Sequence, residues 1–258
     1  MSEMEVKSMA EPAPVGASLS QWQRVTNTFT APSKTFDDIK RGNKSWWLPF
    51  VIIALVGYIL FAAVNMKIGM QTVVDNQIKL DPKAQERMAQ ATPEQKAMSA
   101  KISLYITEGV FIANPLFVLG GVALLSLGLW ATINFGFGGK AKYGSIFCVW
   151  MFASLPSIIK TLLGTVVIFS GLDPESFNIK NFAPTNLAAL IYPNAAEANK
   201  VLYSLTSSLD AITIWTLVLL AIGTAAVAGV KRSSGYMAVF GWWVIFILVG
   251  IGFAAATS

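Results

Sequence analysis

The chain has 258 residues, 54% of them hydrophobic, and a mean hydropathy of +0.57. Charged residues make up 13%, about half the share found in soluble domains, which is too little to clothe a water-facing surface of this size. The same balance excludes a disordered chain, which would be poor in apolar residues and rich in charge. With no histidine and one cysteine, imidazole catalysis, most zinc sites and an intramolecular disulfide are also excluded.

Residues 1–17 include Glu11-Pro12-Ala13-Pro14 and read as a disordered tail. Residues 18–45 form a different unit. Trp22, Val25 and Phe29 recur at helical spacing beside Gln21, Arg24 and Asn27; Pro32 ends that turn, and Ser33-Lys34-Thr35 begins a second short helix carrying Phe36 and Ile39. An apolar face with basic neighbours describes either an amphipathic helix lying in the membrane surface or one packed against cytoplasmic loops.

Spans are read from intervals without charge, because a charged side chain at the bilayer centre costs at least about 2.5–3.5 kcal/mol. The intervals run Ser45–Met66, Gly109–Gly139, Tyr143–Asp173 (interrupted by Lys160), Ala211–Val230 and Ser233–Ser258. Each is long enough for the roughly 20 residues a crossing helix needs. The expected fold is all-α: a polytopic membrane domain over 46–256, with spans near 46–65, 110–134, 145–169, 210–230 and 236–256 and outer loops 66–109 and 170–209. The first apolar stretch lies too deep for a cleavable signal peptide and is expected to serve as signal and anchor together.

Basic residues in short loops set orientation. Lys34, Lys40, Arg41 and Lys44 precede span 1, Lys140 and Lys142 separate spans 2 and 3, and Lys231 and Arg232 separate spans 4 and 5. The loop after span 3 instead carries Asp173, Glu175 and Glu197 against Lys180 and Lys200. This puts the N-terminus in the cytoplasm and the C-terminus outside. Trp46, Trp47, Trp130, Trp150, Trp242 and Trp243 are expected near the cytoplasmic ends, as an interfacial belt.

Between spans 1 and 2, Asp81-Pro82 and Thr92-Pro93-Glu94-Gln95 are helix starts, the second with a capping-box glutamine. Span 2 is therefore expected to extend outward as one long helix, with 66–91 folded beside it as a helical hairpin. The 170–209 loop reads as a compact cap with one or two short helices around Asn186–Ile191. No β pattern is present.

Lys160 lies about two thirds of the way through span 3, at a depth similar to Glu108 and Asp210. The three are the candidate intramembrane ion pair or triad, serving either a proton or substrate relay or only helix register. Pro115 and Pro156 fall inside spans and can kink them. Ala221, Ala225 and Gly229 on span 4, and Gly250 with Ala254 on span 5, form small-residue stripes for close helix packing. Cys148 reads as a small apolar filler. Gly136-Phe137-Gly138-Gly139 lacks the preceding strand of a phosphate loop and reads as a turn. No nucleophile with a paired base, no metal-ligand cluster and no cofactor motif is visible. The basic balance suits an anionic leaflet better than nucleic acid.

The segment Phe29-Thr30-Ala31-Pro32-Ser33-Lys34-Thr35-Phe36-Asp37-Asp38-Ile39, followed by Trp46-Trp47-Leu48-Pro49-Phe50, resembles the start of the Yip (Ypt/Rab-interacting protein) domain family. Leu155-Pro156, Asn186-Leu187, Leu209-Asp210-Ala211-Ile212-Thr213-Ile214-Trp215 and Gly223 continue the resemblance to the last span. It implies five spans, an inside N-terminus and an outside C-terminus. Eukaryotic members bind Rab-type GTPases in vesicle traffic, but their Asp-Leu-Tyr-Gly-Pro segment is replaced here by Trp-Trp-Leu-Pro-Phe, so Rab binding is carried to no residue. The region between spans 1 and 2 is more like bacterial members of the cytoplasmic membrane. The combined expectation is a non-enzymatic protein of a bacterial inner membrane. It would contact lipid and other membrane proteins, or itself, through residues 18–45 and the outer extension. The alternative is a small transporter or channel subunit using the polar groups around Lys160.

Overall fold

The computed structural model describes residues 18–192 and 198–256; the 1–17 tail and Glu197 lie outside them. Among the described residues there is no strand, only one isolated antiparallel bridge between Asn186 and Asp210. The helices are α1 (Gln21–Thr30), α2 (Pro32–Lys40), α3 (Trp47–Lys67), α4 (Met70–Lys79), α5 (Pro82–Gln90) and α6 (Pro93–Ala131). There follow α7 (Tyr143–Ala153), α8 (Ser157–Phe169), α9 (Leu187–Ile191), α10 (Lys200–Ser208), α11 (Ala211–Ala228) and α12 (Arg232–Ala256). Five stretches are long and apolar enough to cross a membrane: Trp47–Lys67, Pro93–Gly136, Tyr143–Phe169, Ala211–Ala228 and Arg232–Ala256. The chain is a multi-pass helical membrane protein.

Local chemistry fixes the helix starts. Ser20 with Gln23, and Thr92 with Gln95, form reciprocal capping boxes, each satisfying amide donors that have no partner within the helix. Asp81 caps α5 ahead of Pro82. From Thr92 the chain stays helical through Pro115 and ends in a π turn at Thr132–Gly136. Pro156 behaves differently: α7 and α8 are separated at Ser154–Pro156.

Two apolar clusters divide the bundle along its length. Toward the end carrying Lys140, Lys142, Lys231 and Arg232, here the basic end, Phe36, Ile39, Leu129, Val149, Phe152 and Leu220 form one core. Toward the opposite end, Leu60, Val64, Met70, Val73, Ile168 and Phe177 bring α3, α4 and α8 together. Between helices in hydrocarbon, close approach of backbones matters more than hiding apolar surface. Gly235 of α12 supplies it, since a Cβ there would strike the Ala221 carbonyl and lie 2.9 Å from the Ala225 methyl. The small residues of α11 thus find their partner helix within the same chain. Gly229 does different work: at φ +69° it caps the C-terminus of α11. Gly250 faces Ser204 of α10 at 3.7 Å, and Ala254, one turn on, is half-buried.

The α1–α2 hairpin runs into the bundle rather than across its surface. Near its turn, Phe29 meets Trp215 edge-on at 5.8 Å. Trp215 is the fifth residue of α11 and so lies roughly 20 Å from the basic end of that helix. At the open end of the hairpin, Lys44 lies beside Gly144 at the start of α7. Phe36 and Ile39 are fully buried, Val25 and Phe29 half-buried, and Trp22 alone of the five interfacial candidates is exposed. Gly223 makes room: a Cβ there would sit 2.5 Å from Val149 Cγ1 and 2.9 Å from the Phe36 ring.

Gly223→Val is therefore expected to cost about 1–3 kcal/mol through overpacking and to expose residues 18–45 to protease. Thermal unfolding in detergent and limited proteolysis check this; an unchanged melting temperature and cleavage pattern would contradict the docked hairpin.

Candidate functional site

Two polar centres lie inside the bundle. The first is at the end opposite the basic loops, where α10 and α11 are separated at Leu209–Asp210. Asp210 caps α11, accepting the Thr213 amide at 2.8 Å and the Thr185 hydroxyl at 2.5 Å. Lys160 from α8 places its Nζ 3.1 Å from Asp210 Oδ2, with side-chain exposures of 26% and 2%. The Phe182 ring lies 6.0 Å from the same ammonium and occupies the space left by the missing side chain of Gly164.

The loop around this pair is stitched by backbone and side-chain amides. The Leu187 amide donates to the Leu209 carbonyl at 3.1 Å and the Ala211 amide to Thr185 at 3.0 Å. Asn186 caps α9 through the Ala189 amide at 3.0 Å and also bonds Asn181. Asn181 in turn donates to the Tyr203 hydroxyl at 2.9 Å. Glu108 does not join this centre. It is half-exposed on α6 and forms no ion pair among the described residues. A hollow of about 270 Å³ lined by Tyr58, Asn114, Thr161 and Phe182 adjoins the site.

The second centre is Arg24, which is fully buried. Its Nη1 donates to the Ser45 carbonyl at 2.7 Å and to Asn43 Oδ1 at 3.3 Å; Nη2 donates to the Asn43 carbonyl at 2.9 Å and to Cys148 Sγ at 3.4 Å. Nε stands 3.4 Å from Asp38 Oδ2, and the guanidinium carbon lies 4.3 Å from the Phe152 ring centroid. Asp38 also accepts from the Leu19 amide, Asn43 and Arg41. One cation thereby joins α1, α2, the lead-in to α3 and α7. Cys148, expected only to fill space, is a contact of this cation. The sequence signal for the centre is the polar i, i+4 pair Arg24/Thr28 facing Thr35 and Asp38; both threonine hydroxyls donate to the Arg24 carbonyl at 2.8 Å.

Among the described residues no three His, Cys, Asp or Glu side chains converge on a point that could hold a metal. The chain is thus a multi-pass helical membrane protein tied internally by two ionic centres. The family described as Yip1 domain matches residues 26–254, and the chain belongs to that family. A relative, "Membrane protein YknW" of Bacillus subtilis (strain 168), is 26% identical over 226 residues, covering 85% of this chain and 86% of its own. No solved structure matches.

Lys160→Met leaves the Asp210 carboxylate without its counter-charge. Breaking a fully buried pair costs about 3–5 kcal/mol; the partial exposure of Lys160 places this one at or below the low end. The double variant Lys160→Met/Asp210→Asn is expected to recover most of the loss. Thermal unfolding of the four proteins of this cycle measures the coupling, and additive losses would contradict a direct pair.

Proposed function

We propose that the protein is a non-enzymatic scaffold of a bacterial inner membrane, with its N-terminus in the cytoplasm and its C-terminus outside. It would dock other membrane proteins, or a second copy of itself, on the outward projection of α6. Orientation rests on the basic loops at one end of the bundle, and the bacterial setting on the likeness to the Bacillus protein.

The observation that carries the docking reading is the length and surface of α6. With its terminal π turn the element has 44 residues and extends roughly 65 Å, about twice the 30 Å hydrocarbon thickness. On the part preceding the charge-free stretch, Met98, Ile102, Tyr105 and Ile106 are 67%, 49%, 62% and 61% exposed. Their spacing puts them on one helical face. An apolar stripe outside the hydrocarbon invites a partner surface. Rab-type GTPase binding forms no part of the proposal.

A transport role is the second reading, favoured by the interruption of span 3 at Ser154–Pro156 near Lys160, since discontinuous helices line sites in some transporters. The ligation of Asp210 by Thr185, Thr213 and Lys160 supports a fastening role instead. A folded Lys160→Met variant that abolished a measured flux would overturn that preference.

Extraction in native-lipid particles is expected to retain a membrane partner, or a second copy, in fixed ratio. Ile102→Gln/Ile106→Gln should reduce its recovery at least about tenfold, with the melting temperature unchanged because both positions are exposed. An unchanged partner set in that variant would remove the projection from the docking surface.

A further inference from the structure

The basic end carries a second feature, unrelated to the α6 projection. Helices α6, α7, α11 and α12 enclose an apolar cleft of about 410 Å³, with Gly128, Trp150, Leu220 and Trp242 among its walls. A Cβ on Gly128 would lie 3.2 Å from the Trp242 ring, so the glycine lets this indole close against α6. The exposed side chains Leu124 and Phe246 bring the cleft to the lipid-facing surface. Trp150 and Trp242 are seven and ten residues inside their helices, or roughly 10–15 Å from the basic end. That sets both indoles two to three turns inside the bundle, within reach of an acyl chain.

Closer to the basic end than the cleft, at the ends of the same four helices, stand Lys140, Lys142, Lys231 and Arg232. All four are exposed, and none enters an ion pair among the described residues. The structure brings their two loops together, with the Lys140 amide donating to the Ala228 carbonyl at 3.0 Å. It also holds them in place. Asn134 bonds the Ala141 carbonyl at 3.0 Å and accepts its amide at 2.8 Å, and the Trp130 indole donates to the same carbonyl at 2.9 Å. Neither loop contains an acid.

We infer that this is a binding site for an anionic phospholipid, its phosphate held by the four cations and one acyl chain seated in the Trp-lined cleft. Charge complementarity selects an anionic headgroup, and basic pockets between helices recognise such lipids. The almost wholly apolar lining, opening to bilayer, selects a chain. The fixed loops confine the cations before the lipid arrives, which reduces the ordering cost of binding. The site depends on the membrane reading alone, so it stands or falls separately from docking on α6.

The test uses the full chain in nanodiscs of phosphatidylcholine with or without phosphatidylglycerol. Bound lipid is counted by native mass spectrometry, and indole quenching is read with brominated acyl chains of each lipid. Phosphatidylglycerol is expected to be retained about tenfold over phosphatidylcholine and to quench more strongly. Lys140→Gln/Lys231→Gln should abolish the preference, while Lys142, Arg232 and the basic residues before α3 maintain the orientation signal. Leu124→Trp, an added bulk at an exposed position, should reduce retention of the lipid while the melting temperature holds. Equal retention of the two lipids, an unchanged preference in the lysine variant, or a dimer closing the cleft without lipid would each overturn the assignment.

Discussion

A guanidinium with no exposed surface must be neutralised and hydrogen-bonded where it lies, since an isolated buried charge is among the costliest groups a fold can hold. Arg24 meets most of this demand by drawing on three other segments at once: Asp38 from α2, the carbonyls of Asn43 and Ser45 before α3, and Cys148 and Phe152 of α7. The hairpin of α1 and α2 is thereby fastened into the bundle, and the first span begins from a fixed point. Phe36 then occupies the notch at Gly223, and the apolar cluster of the basic half assembles around that contact.

The Lys160–Asp210 pair plays the corresponding part at the other end. Asp210 begins α11 where α10 stops, and its carboxylate serves as helix cap, hydroxyl acceptor and counter-ion together. A charged cap stabilises the positive end of a helix. Where a membrane helix is interrupted, side chains must also replace the ladder bonds that are lost. Each of these bonds is made within the chain itself.

Much of this architecture was legible in the sequence, for identifiable reasons. Charge-free intervals locate spans because hydrocarbon penalises charge without regard to detail. Thr92 and Gln95 mark the start of α6 because capping depends on four consecutive residues. The pairing of Lys160 with Asp210 was expected from depth, which follows from counting residues; the same count put Glu108 at that depth, but depth says nothing about which way a helix is turned. The hairpin is the instructive case. Trp22, Val25, Phe29, Phe36 and Ile39 have the periodicity of a surface helix, and periodicity reports an apolar face without naming what covers it. The cover comes from Gly223 and Val149, far along the chain. The cation Arg24 that locks the arrangement looks in sequence like one more basic residue near a membrane.

The tryptophans make the same point with a functional edge. Their composition and placement suit an interfacial belt, yet Trp130 is spent on the Ala141 carbonyl, and Trp242 donates to the Thr132 hydroxyl at 3.0 Å while walling the cleft. An indole held by hydrogen bonding in the bundle has a fixed orientation. It becomes a rigid apolar wall that costs little entropy when a flexible chain lies against it. In the proposed topology the basic loops thus share one end of the bundle with the cleft proposed for one of that membrane's own components. On this reading Lys140, Lys142, Lys231 and Arg232 would serve twice, once as the orientation signal and once as the headgroup contact, because both tasks ask for cations at a membrane surface.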